Sequence, residues 1–167
     1  EQISLAGTEA SGTGNMKLMM NGAITIGTMD GANVEIFEAV GAENILIFGM
    51  DTPEVNELKK LGYKPSTYYD NNAELHEVID FINKGIGGKL FPEITKTLVN
   101  HDPYMALADF ADYRNIQKQA AEIRKDTERW NRMSPMNIAG SGRFAADRAI
   151  NEYAADIWHV DPIKLRK

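Results

Sequence analysis

Cysteine is absent from this 167-residue chain, which excludes a disulfide framework, a thiolate metal site and a cysteine nucleophile. Histidine is scarce. His76, His101 and His159 stand far apart, which argues against a histidine-rich metal centre and leaves no metal site to expect. Basic charge is in deficit: 18 Lys+Arg against 24 Asp+Glu give a net charge of −6 and a pI of about 5.1. That balance speaks against nucleic acid or an anionic membrane as partner. No apolar run approaches the roughly 20 residues that cross a bilayer, and the opening residues do not read as a secretory leader. The cytoplasm is the default compartment. A methionine start is also lacking. Glu1 opens the chain, which suggests a cut piece of something longer.

What is present is the composition of a globular domain, 43% apolar and 25% charged, with material for a real core. Glycine crowds the first 50 residues, at Gly7, Gly12, Gly14, Gly22, Gly27, Gly31, Gly41 and Gly49. Between these glycines, the apolar, β-branched runs at 23–27 and 44–49 read as buried strands of a parallel sheet. Helix-like stretches at 15–21 and 32–40 precede them, so the alternation is that of an α/β fold. Residues 51–167 read as mostly helical. Thr52 with Pro53 opens a helix that Gly62 stops. Leu75, Val78, Ile79 and Ile82 form one helical stripe, and Phe91, Ile94 and Leu98 another. A long helix is expected over 104–130. A last amphipathic helix carries Ile150, Tyr153, Ala154 and Ile157 and ends near 159–162. Two strands are few for a doubly wound sheet. Either the domain is mostly helical, or its other strands lie in sequence outside this chain; the Glu1 start favours the second.

The stretch Glu9-Ala10-Ser11-Gly12-Thr13-Gly14-Asn15-Met16-Lys17 is the most informative. A flexible loop running into a helix start aims unpaired N–H groups, and the positive end of the helix dipole, at one point. Thr13, Gly14 and Asn15 thus read as an anion site, where glycine lets a phosphate come close to the backbone. Lys17 stands where GxGxxG would need its third glycine, and no GxxxxGK[ST] pattern is present. A lysine in the first helical turn opposes the dipole, a conflict that a bound anion relieves. Flanked by Met16, Leu18 and Met19, its amine is expected to be partly desolvated and so a better nucleophile. An amine beside a phosphate cradle suits an aldehyde cofactor that carries a phosphate, namely pyridoxal phosphate.

The run from Glu9 to Asn21 resembles the pyridoxal-phosphate attachment signature of the glycogen (α-glucan) phosphorylases. The stretch from Asn21 to Ile36 resembles the segment that follows it there. So do Ile47-Phe48-Gly49-Met50, His101-Asp102, Trp130-Asn131-Arg132-Met133, Asn137-Ile138-Ala139, Ser141-Gly142-Arg143-Phe144 and Asp147-Arg148. The resemblance implies a partial Rossmann-like parallel sheet with many helices, the second half of the C-terminal cofactor domain of a glycosyltransferase type B fold. Residues 1–167 would form a single piece of that domain. It implies phosphorolysis: a terminal α-1,4-linked glucose plus inorganic phosphate gives α-glucose 1-phosphate. By resemblance, Lys17 holds pyridoxal 5'-phosphate as a Schiff base, and the cofactor phosphate acts as proton donor and acceptor. Thr13 and Gly14 hold that phosphate, and Glu9, Ser11 and Gly12 bind glucosyl hydroxyls. The implied partners are the glucan, inorganic phosphate, the remainder of the phosphorylase chain and a second copy in a homodimer. The isolated chain is expected to be inactive. The competing readings are a non-catalytic phosphate- or nucleotide-binding α/β module, and a packing piece that pairs its sheet edge with a second copy.

Several other residues invite a bland reading. Asp30 and Glu35 sit in a strand-to-helix turn, where Asp30 is expected to cap rather than to join a carboxylate pair. His101 and Asp102, being adjacent, suit a loop better than a catalytic couple. Trp130 and Trp158 suit packing, and Arg143 and Arg148 suit surface ion pairs.

Overall fold

The computed structural model describes residues 1–9, 12–161 and 163. Its element order is α1 (Thr13–Met20), β1 (Ile26–Gly27), α2 (Ala32–Val40), a 3₁₀ turn (Ala42–Asn44), β2 (Leu46–Ile47) and α3 (Thr52–Leu61). There follow α4 (Pro65–Asn71), α5 (Ala73–Lys84), α6 (Pro92–Asn100), α7 (Ala106–Lys125), α8 (Thr127–Gly140), a 3₁₀ turn (Ser141–Phe144) and α9 (Ala146–Glu152). A wider π-type turn, Tyr153–Trp158, continues α9. The fold is α/β, mostly helical, around a small parallel sheet. Among the described residues no helix is long and apolar enough to cross a membrane.

The sheet is parallel, with Ile26 opposite Leu46 and Gly27 opposite Ile47. Gln2 extends it on the β1 side through a parallel bridge to Gly27. Both faces are covered. Leu46 and Phe48 pack with Ile116, Ala120, Ile123 and Met133 of α7 and α8. Ile45 and Ile47 pack on the other side with Met19 of α1 and Ile36 and Val40 of α2. The alternation along 45–48 is the two-residue period of a strand buried on both faces. Both strands are shorter than the apolar runs suggest. The Ala23 N–H donates to Leu18 O and closes the end of α1. The Asn44 side chain, at the end of its 3₁₀ turn, donates back to Val40 O at the end of α2.

Three further expectations change. Asp51, not Thr52, caps α3: its carboxylate accepts from Glu54 N–H while the Glu54 carboxylate accepts from Asp51 N–H. The long helix over 104–130 is two helices. Asp126 ends α7 and its side chain accepts from Arg129 N–H to start α8. The C-terminal apolar stripe exists but lies open, with Ile150, Tyr153 and Ile157 all exposed; it ends after Trp158 with His159 in the left-handed region, at the near edge of the expected stop at 159–162, of which Pro162 falls outside the described residues.

Candidate functional site

Three connections leave the carboxyl ends of parallel strands: the loop from Ser4 to α1, the turn 28–31 before α2, and the turn 48–51 before α3. Open α/β sheets bind ligands in that place. The turn 28–31 shapes the loop. Asp30, only 5% exposed, points its carboxylate at the loop. It accepts from Gly7 N–H at 2.8 Å, Thr8 N–H at 3.3 Å, Glu9 N–H at 2.7 Å and the Ser4 hydroxyl at 3.0 Å. Burial pushes the Asp30 carboxyl up, but the bonds from Glu9, Gly7, Ser4 and Thr8 together outweigh it and hold it below the usual carboxylate range. Asp30 is therefore not a helix cap. Gly31 occupies the cap position of α2, with no side-chain cap bond among the described residues.

The first turn of α2 grips the far end of the loop. Asn33, fully buried, donates through Nδ2 to Gln2 Oε1 and Thr28 O, and its Oδ1 accepts from Asn15 Nδ2 at 2.8 Å. Between these two anchors Gly12 lies against α2 itself. A Cβ placed on Gly12 would stand 2.3 Å from Ala32 Cβ. Gly31 adopts φ +51°, and a Cβ there would stand 2.6 Å from Glu9 Cγ. Only glycine allows either approach without displacement.

Helix α1 starts at Thr13 with Gly12 as an uncapped N-cap. Its first intrahelical bond runs from Met16 N–H to Gly12 O. The amides of Thr13, Gly14 and Asn15 therefore have no partner within the helix. Met19 is buried, whereas Thr13, Gly14, Lys17 and Leu18 are exposed. Spacings of three and four place these exposed residues on one face. The structure thus brings Thr13, Gly14 and Lys17 together, with Gly12 and Glu9 in the adjoining loop; Ser11 lies outside the described residues. Two expectations about Lys17 are corrected. It sits in the last turn of α1, where its charge agrees with the dipole, and it is exposed rather than desolvated in this chain.

Residues 1–160 match the family model described as Phosphorylase: Carbohydrate phosphorylase. The chain belongs to the carbohydrate phosphorylase family. It is 53% identical to a glycogen phosphorylase of Synechocystis sp., 48% to the human muscle form and 49% to the bovine liver form. Each similarity covers 99% of this chain and 20% of the relative. The chain therefore spans about a fifth of the length of the curated relatives it matches.

Elsewhere in this phosphorylase-family chain the bland readings of His101, Asp102, Arg143, Arg148 and Trp130 hold, that of Trp158 as a packing residue does not, and there is one addition that the sequence did not suggest. Asp102 is buried beside an exposed His101 and serves the loop before α7. Its carboxylate accepts from Ala106 N–H, Leu107 N–H and the Tyr63 hydroxyl, the last at 2.7 Å. Arg143 pairs with Glu38 at 2.9 Å and Arg148 pairs with Glu152. Trp130 packs against the α7–α8 side of the sheet with the Arg124 guanidinium over its ring, whereas Trp158 is exposed. The addition is the pair Asp30 and Asn33. Their one sequence signal is two polar residues flanking Gly31-Ala32, in a turn between an apolar run and a helix.

Proposed function

We propose that this chain supplies the cofactor side of an α-1,4-glucan phosphorylase, an enzyme that releases α-glucose 1-phosphate from glucan ends with inorganic phosphate. The observation that carries the reading is the exposed face of α1. It presents Thr13, Gly14 and Lys17 directly after a glycine-rich loop that a neighbouring turn holds in place. The end-to-end similarity to proteins named glycogen phosphorylases supports it over a non-catalytic phosphate- or nucleotide-binding module.

The residues suit pyridoxal phosphate. The uncapped start of α1 offers amides and the positive end of a dipole to an anion. Beyond its chain neighbours and the backbone of α1, no atom of the described residues lies within 4 Å of where a Cβ of Gly14 would stand, so a phosphate can approach the backbone there. Lys17 offers an amine one turn further on. In this reading Thr13 and Gly14 hold the cofactor phosphate and Lys17 Nζ holds the cofactor covalently. What pyridoxal phosphate supplies when bound is a phosphate group that exchanges a proton with the substrate phosphate. Glu9, Ser11 and Gly12 orient the terminal glucosyl unit; a carboxylate accepts strong bonds from sugar hydroxyls. Residues 1–167 act as one piece of the C-terminal domain of a glycosyltransferase type B enzyme. That enzyme is cytoplasmic and homodimeric, and the rest of its chain closes the cleft.

The test is phosphate-dependent formation of glucose 1-phosphate from maltodextrin by the full-length protein, and its disappearance in Lys17→Ala. Release of free glucose without phosphate, or no release, would contradict the reading.

A further inference from the structure

We infer that Asp30 is a positioning residue for glucosyl recognition: its buried carboxylate fixes the backbone that carries Glu9. The inference rests on the proposed phosphorylase function, because that function makes Glu9 a substrate contact. The geometry is particular to the loop. Three successive amides, those of Gly7, Thr8 and Glu9, converge on one carboxylate, and the shortest of the three bonds, 2.7 Å, is the one to Glu9 itself. The two oxygens divide the work: Oδ1 takes Gly7, while Oδ2 takes Thr8, Glu9 and the Ser4 hydroxyl. Gly31, next to Asp30, lets Glu9 Cγ come close enough that any side chain at 31 would push it away. Asp30 thus holds the Glu9 backbone by charge while Gly31 leaves room for the Glu9 side chain.

Cofactor retention depends on a different anchor. Asn33 ties Asn15, and so the start of α1 with Thr13 and Gly14, to Gln2 and Thr28. The two ends of the loop are therefore separable. Losing Asp30 loosens Glu9, whereas Asn33 still holds the phosphate-binding helix start.

Asp30→Asn in the full-length enzyme tests this. An amide keeps one acceptor but turns an NH₂ group toward N–H donors on its other side. The expected result is a KM for glucose 1-phosphate, in the glucan-lengthening direction, raised roughly 10- to 100-fold, the worth of one charge-assisted hydrogen bond. Bound pyridoxal phosphate, read from its absorbance, is expected to stay at the wild-type level. Ser4→Ala removes one of the four donors and leaves the buried carboxylate intact. It is expected to raise the same KM a few-fold, and it keeps the test readable where Asp30→Asn folds poorly. Activity that falls only in step with lost cofactor, at unchanged KM in both variants, would overturn the inference. A wild-type enzyme that forms glucose 1-phosphate while Asp30→Asn keeps its KM overturns the inference alone. A wild-type enzyme that forms none overturns the phosphorylase reading and this inference with it.

Discussion

At the scale of single residues, Met19 and Asp30 steady the site, while Asp109 carries a buried charge that works against the fold. Met19 is fully buried with Ile36, Val40 and Ile45 and is the buried anchor of α1. Met19→Ala is expected to cost about 2–5 kcal/mol, measured by urea unfolding, because it leaves a cavity where α1 meets the sheet. Asp30 and Asp109 respond to pH with opposite signs. The folded pKa of Asp30 is lowered, so its stabilising contribution is present above the unfolded value of about 3.9 and disappears as pH falls through the folded one. Asp109 is raised, chiefly by burial and further by Asp112, Asp102 and Glu54, against a bond from Met50 N–H. Its ionisation therefore costs stability once pH rises through that raised value. Asp109→Asn keeps an acceptor for Met50 N–H and removes the charge. The expected outcome is a higher urea midpoint at pH 7 than wild type, with the difference vanishing near pH 4. A lower midpoint at pH 7 would show that the charge is stabilising.

At the scale of elements, the reciprocal bonds between Asp51 and Glu54 fix where α3 begins. Asp51→Ala is expected to cost about 1 kcal/mol, read as a shift in the thermal midpoint. The elements show which sequence signals were enough. Helix α2 ends where glycine stands: Gly31 and Gly41 both adopt positive φ, so its bounds could be read directly from the chain. The parallel strands were legible as β-branched apolar runs, but not their length, because side-chain and loop hydrogen bonds at Ala23 and Asn44 consume the outer residues. The break between α7 and α8 was not legible. It occurs at Asp126 among mixed charges, with neither glycine nor proline to mark it, and depends on one carboxylate capping the next helix. At the site, the glycine-rich loop and Lys17 stood out because their local pattern is unusual. The grip of Asp30 and Asn33 did not, since it joins residues more than 15 positions apart and only the folded chain brings them together. Asn33→Ala is expected to weaken cofactor retention in the full-length protein, measured as pyridoxal phosphate lost on dialysis. Retention equal to wild type would show that α1 needs no such tie.

At the scale of the whole molecule, the sheet is small and much apolar surface is open. Ile3, Leu61, Leu90 and Ile157 are each more than 60% exposed, and Ile150, Tyr153 and Ile157 on the apolar stripe of α9 and the turn after it are all exposed among the described residues. The 167-residue chain by itself is expected to bind hydrophobic dyes, to self-associate at micromolar concentration in sedimentation, and to show no phosphorolysis. A monodisperse, dye-silent monomer would mean that this surface needs no partner. The central claim is that Lys17 carries the cofactor, and one measurement tests it most directly: borohydride reduction of the full-length protein with pyridoxal phosphate, followed by peptide mass mapping. The account predicts a single stable pyridoxyl adduct on the peptide containing Lys17. An adduct on another lysine, or none, would contradict it.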